Sequence, residues 1–570
     1  MRTRCRTSKP ASLSTTTSDP EPSGCRGPYV QEAEFICLIA PRTLHTSPMR
    51  RRDFLKSASL GLLASSLAGS SRAFAQSKSV AFDRAWLVSR AKALAAKPYV
   101  KRSRELPQVL ERDWDNFHFR PERALWAKQD SRFAVEFFHR SKLFREHIDV
   151  FEVVNGRATP VTYDREMFDY ARSGLNPDSI PRDLGFAGMR LTFDRDPRDI
   201  TSFLGASYFR AIADNYQWGL SARGLAVNSG VTGRPEEFPV FTCFWLERPA
   251  KGAGTLVVHA LLESESITGA YRFAITPGKS QVMDIDATLY PRKPIERLGI
   301  APGTSMFQCG ENDKRMAYDV RPEIHDSDGL AMWTGKGEWI WRPLTNPAAV
   351  EWNAFADQKP KGFGLLQRDR DFDDYQDDQI LYHPRPDLWV EPRSDWGRGT
   401  VQLVEIPTFD ETFDNIVSFF CPEAPVKAGQ ELRYSYRLHW CLTPPAVPQL
   451  ARTSATRLGL GGEVGKRKHY AGRFMVDFTA DTPPPSAAIE PVVQVSRGTV
   501  ELATARVLKI GDSGGATRYR AVFDVVPPDD STAKLEIRMF LRSGGQALTE
   551  TWLYHWFPPA AGDRKLNQML

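Results

Sequence analysis

Apolar and polar residues alternate in short runs over much of the chain. Thr255–Glu263, Tyr271–Thr276, Gln281–Tyr290, Thr400–Ile406, Ile416–Phe420 and Leu432–Trp440 all show it. A period of two marks strands with one face in a core. Pro, Gly and Asp turns between the runs predict antiparallel pairing in a large, mainly β sandwich. Helical spacing is confined to the early part. Phe82 to Ala96 is Ala-rich and predicts a helix, and Arg120–Trp126 reads as the start of a short one. Three prolines within Leu442–Pro448 mark a linker. Beyond it come Phe474–Phe478, Val492–Val495, Thr499–Leu508, Tyr519–Val526, Leu535–Leu541 and Thr551–Phe557. That number of strands is the size of an immunoglobulin-like sandwich. The expected organisation is an N-terminal β-sandwich over 80–441, a linker over 442–453 and an immunoglobulin-like domain over 454–567.

The length of 570 residues suits two or three domains, and 41% hydrophobic with 25% charged residues is ordinary globular usage. The net charge of +6 changes the picture only at one end. Residues 1–75 carry the whole excess, and the remainder has 64 basic against 64 acidic side chains. The body therefore presents no net positive field, which argues against nucleic acid as a partner. No run of 18 apolar residues predicts a membrane span. Arg51-Arg52-Asp53-Phe54-Leu55-Lys56 is a twin-arginine pattern. It is followed by a weakly apolar stretch and by Ala73-Phe74-Ala75 before Gln76. Charge, apolar stretch and small-residue cleavage site stand in the order of an export signal, which predicts a periplasmic protein. Met49 directly precedes the arginines and is the expected start, so residues 1–48 are expected to be disordered and to play no part in export. Cys5, Cys25 and Cys37 precede the signal, and Cys243, Cys309, Cys421 and Cys441 are too dispersed for a disulfide framework. They are expected as small buried hydrophobes. No metal-ligand spacing is present, and no cofactor is expected.

No GxSxG, HExxH, P-loop or strand-borne GxGxxG occurs, so the candidate chemistry lies in carboxylates. Ile324-His325-Asp326-Ser327-Asp328 places two carboxylates and an imidazole together. Asp410-Glu411-Thr412-Phe413-Asp414-Asn415 places three carboxylates ahead of an apolar strand. Loops at strand ends are where a rigid sandwich presents a site, although Asp and Asn also favour plain solvated turns. Asp369 to Asp378 has the look of a calcium loop. It lacks the required Gly and Glu, and Arg368 and Arg370 predict an ion-paired structural loop instead. Trp333, Trp339 and Trp341 follow the Asp326 loop, and Trp389 and Trp396 flank Glu391 and Asp395. Aromatic faces stack on sugar rings while carboxylates bond hydroxyls, so a neutral oligosaccharide fits. Filling a β-core is the other use of so many Trp residues.

Several stretches carry a specific resemblance. They are Asp183–Gly188, Ser202–Arg210, Tyr216–Gly224, Ile324–Asp328, Gly362–Gln367, Leu388–Pro392 and Glu411–Ile416. Over about residues 80 to 560 the chain resembles the OpgG/OpgD family of osmoregulated periplasmic glucan biosynthesis proteins, and the twin-arginine signal favours the D branch. The resemblance implies a galactose mutarotase-like N-terminal sandwich with an immunoglobulin-like C-terminal domain. It implies action on β-1,2-glucan as an inverting glycoside hydrolase or transglycosylase, controlling the glucose backbone of the periplasmic glucans. It places the general acid on Asp414 and the general base on Asp326, with Glu411 and Tyr382 in support. Asp328 is the next candidate base, two residues on and on the same face if the segment is extended. Trp333, Trp339 and Trp341 are candidate stacking residues. The expected partner is a β-1,2-glucan oligosaccharide or polysaccharide, with room for a homodimer. The rival class is a non-catalytic glucan-binding or scaffold protein.

Overall fold

The computed structural model describes residues 79–103, 105–112, 116–508 and 516–566. The twin-arginine segment, Met49, residues 1–48 and the first three cysteines lie outside the described residues. Among the described ones the chain is mainly β, as the alternation predicts. Leu256–Glu263, Ile267–Thr276, Gln281–Pro291 and Leu432–Cys441 pair antiparallel in register as neighbours of one 16-stranded sheet. A 10-stranded sheet faces it. Its order runs from Glu351–Gln358 through Arg398–Glu405, Ile416–Pro422, Leu298–Ser305, Ser221–Arg223, Tyr208–Ala211, Asp199–Leu204 and Phe186–Phe193 to Phe133–His139. The inward-facing positions interlock between the layers. Phe203 of the smaller sheet meets Phe273 of the larger edge-on, at 5.3 Å between ring centres.

The helix spans Arg84–Ala95, and the Asp83 carboxylate accepts the Trp86 amide at 2.7 Å to cap it. The second expected helix reduces to a 3-10 turn at Pro121–Arg123. Leu125 bridges to Val135 and Trp126 takes a φ of 71°, so the chain turns into the sheet instead. Cys243, Cys309, Cys421 and Cys441 are free thiols, with Cys309 and Cys441 buried. The acidic loop forms one helical turn at Phe372–Tyr375. Its arginines reach outward rather than neutralising it. Arg368 pairs with Glu550 at 2.5 Å, and Arg370 pairs with Asp387 at 2.8 Å.

Strand Arg452–Leu460 begins four residues past Pro448, inside the expected linker 442–453. It leads a four-stranded sheet with Gly472–Ala480, Thr517–Val526 and Thr499–Val507. Phe474, Phe523 and Trp552 fill the space beneath it. The strands opposite, Thr551–Trp556, Leu535–Ser543 and Ile489–Val495, continue the 16-stranded sheet, with Thr551–Trp556 parallel to Trp339–Pro343. The break in sequence is thus not a break in the sheet, because the edge of Trp339–Pro343 is covered by pairing.

One buried pair ties the two main sheets together. Arg342 and Glu405, both 0% exposed, meet at 2.8 Å, and Glu405 also accepts from the Thr345 amide at 2.7 Å and its hydroxyl at 3.0 Å. Glu405 ends its strand, and the loop bearing Asp414 starts at the next residue. Glu405→Ala would strand the guanidinium, and the expected loss is about 3–5 kcal/mol. The urea midpoint of the variant against wild type measures it.

Candidate active site

Two loops converge on one piece of backbone, Ser305–Phe307, where strand Leu298–Ser305 runs on into Phe307–Cys309. From one side, Ile416 pairs with Ser305. The Asn415 carboxamide takes the Phe307 amide at 2.8 Å and donates to the Phe307 carbonyl at 3.0 Å and the Ile406 carbonyl at 2.9 Å. Asn415 therefore closes the loop 406–415 and fixes its neighbour Asp414, which is half-buried. From the other side, His325 pairs with Phe307 and the Asp326 amide donates to the Met306 carbonyl at 2.9 Å. The Ser305 and Ser327 hydroxyls bond at 2.9 Å. Asp326 and Asp414 are thus held by opposite neighbours of the same three residues.

A continuous set of contacts joins the loops through their side chains. Arg385 donates to the buried Asp326 carboxylate, and its guanidinium lies 4.2 Å from the Tyr382 ring centre. The Tyr382 hydroxyl donates to Glu411 at 2.7 Å. Arg321 donates to Glu411 and to Asp377, each at 2.8 Å, and to Asp319 at 2.9 Å. Burial, together with the charges of Asp326 and Glu411, pushes the Tyr382 phenol well above its usual range and outweighs Arg385, so it remains a proton donor. The bonds to Arg321 hold Asp319 down to about 2. Gln367 braces the Asp326 loop and the Tyr382 segment from behind. Its amide nitrogen donates to the carbonyls of His325 at 3.1 Å and Tyr382 at 3.3 Å, while its oxygen meets His325 Nδ1 at 3.0 Å.

Asp326, Tyr382 and Glu411 are therefore gathered, with Asp414 three residues from Glu411 in the same loop, and Asp328 points elsewhere. Its carboxylate accepts the amides of Arg368 and Asp369, and it lies 3.4 Å from His325 Nδ1. It lines a small cavity with Glu311, Glu323 and Asp369 against the strand Arg452–Leu460. The chain turns between the two aspartates, since the Asp328 amide bonds the Leu366 carbonyl and that of Asp326 bonds Met306. Burial raises the Asp328 pKa, with the His325 charge opposing. Trp333 and Trp339 stack at 5.1 Å, Trp339 stacks on Trp389 at 5.7 Å, and Trp341 lies beneath Arg368 at 3.6 Å. All three of Trp333, Trp339 and Trp341 pack with the C-terminal core and do not join the Asp326–Glu411 set. Among the described residues no group of three or more His, Cys, Asp or Glu is placed to hold a metal ion.

Arg385, Arg321 and Gln367 escape a reading of the sequence for carboxylates. Gln367 and Asn415 do fall within the resembling stretches Gly362–Gln367 and Glu411–Ile416, which was the available signal. The arginines carry none, since their role is set by loops that meet only in the fold.

The family model for "Periplasmic glucan biosynthesis protein, MdoG" matches residues 82–556. Relatives named "Glucans biosynthesis protein D" are similar over nearly their whole length. That of Xanthomonas campestris pv. campestris (strain B100) is 53% identical over 538 residues, covering 91% of this chain and 100% of the relative. That of Stenotrophomonas maltophilia (strain R551-3) is 53% identical over 534 residues, covering 90% and 99%.

Proposed function

Because the chain belongs to the MdoG family of periplasmic glucan biosynthesis proteins, we propose that it is an enzyme acting on β-1,2-glucan with inversion at the anomeric carbon. Asp414 gives its proton to the leaving glycosidic oxygen as the bond to C1 breaks. Asp326 takes a proton from the water, or from the sugar hydroxyl in transfer, whose oxygen bonds to C1. The observation that carries this reading is the run of contacts from Asp326 through Arg385 and Tyr382 to Glu411, three residues from Asp414. Arg385 aims the base, and Tyr382 with Arg321 fixes Glu411 beside the acid. A positioned acid and base on opposite sides of a substrate are what inversion needs.

The test is to incubate the mature protein with linear β-1,2-glucan and separate the products by chromatography. Shortened, extended or cyclised glucan with an inverted first-formed anomer supports the reading. Glucan that binds and returns unchanged would make the protein a scaffold.

Export by the twin-arginine route is part of this proposal. The motive is the Arg51-Arg52 pattern ahead of the small-residue site at Ala73–Ala75. Replacing both arginines by Lys is expected to abolish periplasmic accumulation, measured by fractionation and immunoblot. Unchanged yield would mean another route.

A further inference from the structure

The larger sheet has a second face, turned away from the main core, and strand register sets four side chains in one row across it. Trp245 lies beside His259, His259 beside Arg272 and Arg272 beside Asp286, while their chain neighbours Val258, Phe273 and Ile285 fill the core. The helix Arg84–Ala95 covers part of this face through Leu87 and Ala91. At its first turn the cover stops. An open cleft of about 590 Å³ is bounded there by Phe82 and Arg84, by the turn at Asn155 and by the row. Ligand sites typically run from about 300 to 1,000 Å³.

The lining is polar, balanced in charge and only partly paired. Three arginines, Arg84, Arg248 and Arg272, face three carboxylates, Asp83, Glu247 and Asp286. Arg84 takes one oxygen of Asp286 at 2.9 Å, and the Ser435 hydroxyl takes the other at 2.6 Å. Arg272 is left 3.7 Å from Asp286, too far for a hydrogen bond. His259 takes Oε1 of Glu247 at 2.7 Å, and Oε2 has no partner among the described residues. Both groups are open to solvent, with side chains 32% exposed at Arg272 and 47% at Glu247. One wall is aromatic. Phe82 stacks on Trp245 at 5.1 Å, and Trp86, 42% exposed, stands edge-on to each of them at 5.8 Å.

We propose that this cleft is a second, non-catalytic binding site for the glucan chain. Arg272 donates to one sugar hydroxyl, Glu247 accepts from another, and the exposed ring of Trp86 lies against the C–H face of the sugar. The proposal rests on the reading of β-1,2-glucan as the substrate. A donor, an acceptor and an exposed ring around one cleft match a sugar, which carries hydroxyls of both uses around an apolar face. The balanced charge disfavours a bound ion of either sign, since an anion would meet three carboxylates and a cation three arginines. The catalytic loops spring from Ser305–Phe307, and none of the cleft residues belongs to the Asp326–Glu411 set. The glucan segment held here is therefore not the segment being cleaved, so the cleft serves long chains and is idle for short ones.

The experiment compares wild type with Arg272→Gln and Trp86→Ala on two substrates, long linear β-1,2-glucan and a β-1,2-linked glucose pentasaccharide. KM and kcat come from product formation, and affinity for the polymer from calorimetry. Each variant is expected to raise KM for the polymer by about tenfold, the worth of a hydrogen bond to a charged group. The polymer kcat and both constants for the pentasaccharide should stay at wild-type values, which also shows that the variants are folded. A polymer KM unchanged in both variants, or a loss shared equally by the pentasaccharide, overturns the cleft assignment and leaves the enzyme reading standing. If wild type converts neither substrate, the enzyme reading falls by itself and calorimetry with the polymer decides the cleft. Weaker binding by the two variants then upholds the site, and binding equal to wild type overturns it.

Discussion

Asp414→Asn is expected to leave the fold intact and cut turnover of β-1,2-glucan by about 100- to 10,000-fold, the usual worth of a general acid. The amide matches the carboxyl in shape and has no acidic proton for the leaving oxygen. The loop should survive the change because Asn415 closes it, through its bonds to Phe307 and Ile406. Asp410 adds a further brace by accepting from the Thr412 amide at 2.9 Å. An unchanged thermal midpoint and circular dichroism spectrum would show that chemistry alone was lost. Turnover within about threefold of wild type, far below that range, would remove Asp414 from the mechanism.

Asp326→Asn is expected to abolish product formation with glucan binding nearly intact. A base acts chiefly in the transition state, so kcat should fall by at least about 100-fold while the dissociation constant moves less than about tenfold. Asn still offers an oxygen to Arg385, which keeps the bond and loses the charge that opposes the guanidinium. Some stability is therefore lost, and a melting curve on the same preparation records it separately from turnover. Full turnover in this variant would place the base elsewhere. Asp328 is a poor substitute, because its carboxylate is taken up by the amides of Arg368 and Asp369.

The two predictions depend differently on what the sequence could show. Alternation in Gln281–Tyr290 and Leu432–Trp440 located strands that the fold extends by only one residue each, because a strand with one buried face must write its period into the chain. Asp326 and Asp414 are singled out by the family resemblance rather than by residue pattern, and it can reach them because their motifs stand whole in the chain. Each lies in a compact loop whose neighbours, His325 and Asn415, anchor it within one residue. Where the signal was composition alone, two outcomes were compatible with it. The tryptophans Trp333, Trp339 and Trp341 could stack on sugar or fill a core, and only packing against Phe474 and Trp552 assigns them to the C-terminal junction.

The β class, about a dozen of the strands, the neutral body and the carboxylate motifs were legible along the chain, since each is a local pattern of residue types, whereas strands such as Phe186–Phe193 and Leu298–Ser305 were not. Tertiary structure alone decided what those patterns face. Asp326 and Asp328 are two residues apart, yet one meets Arg385 and the other the amides at 368–369, because the backbone turns between them to bond Met306 and Leu366. Arg385, Tyr382 and Arg321 join Asp326 to Glu411 across as many as 90 residues of chain. Arg223 comes to lie beside Tyr208 and out of water only through strand pairing. Side chains so far apart leave no period or spacing in the chain; their meeting is fixed by sheet register and loop closure, which are properties of the whole fold.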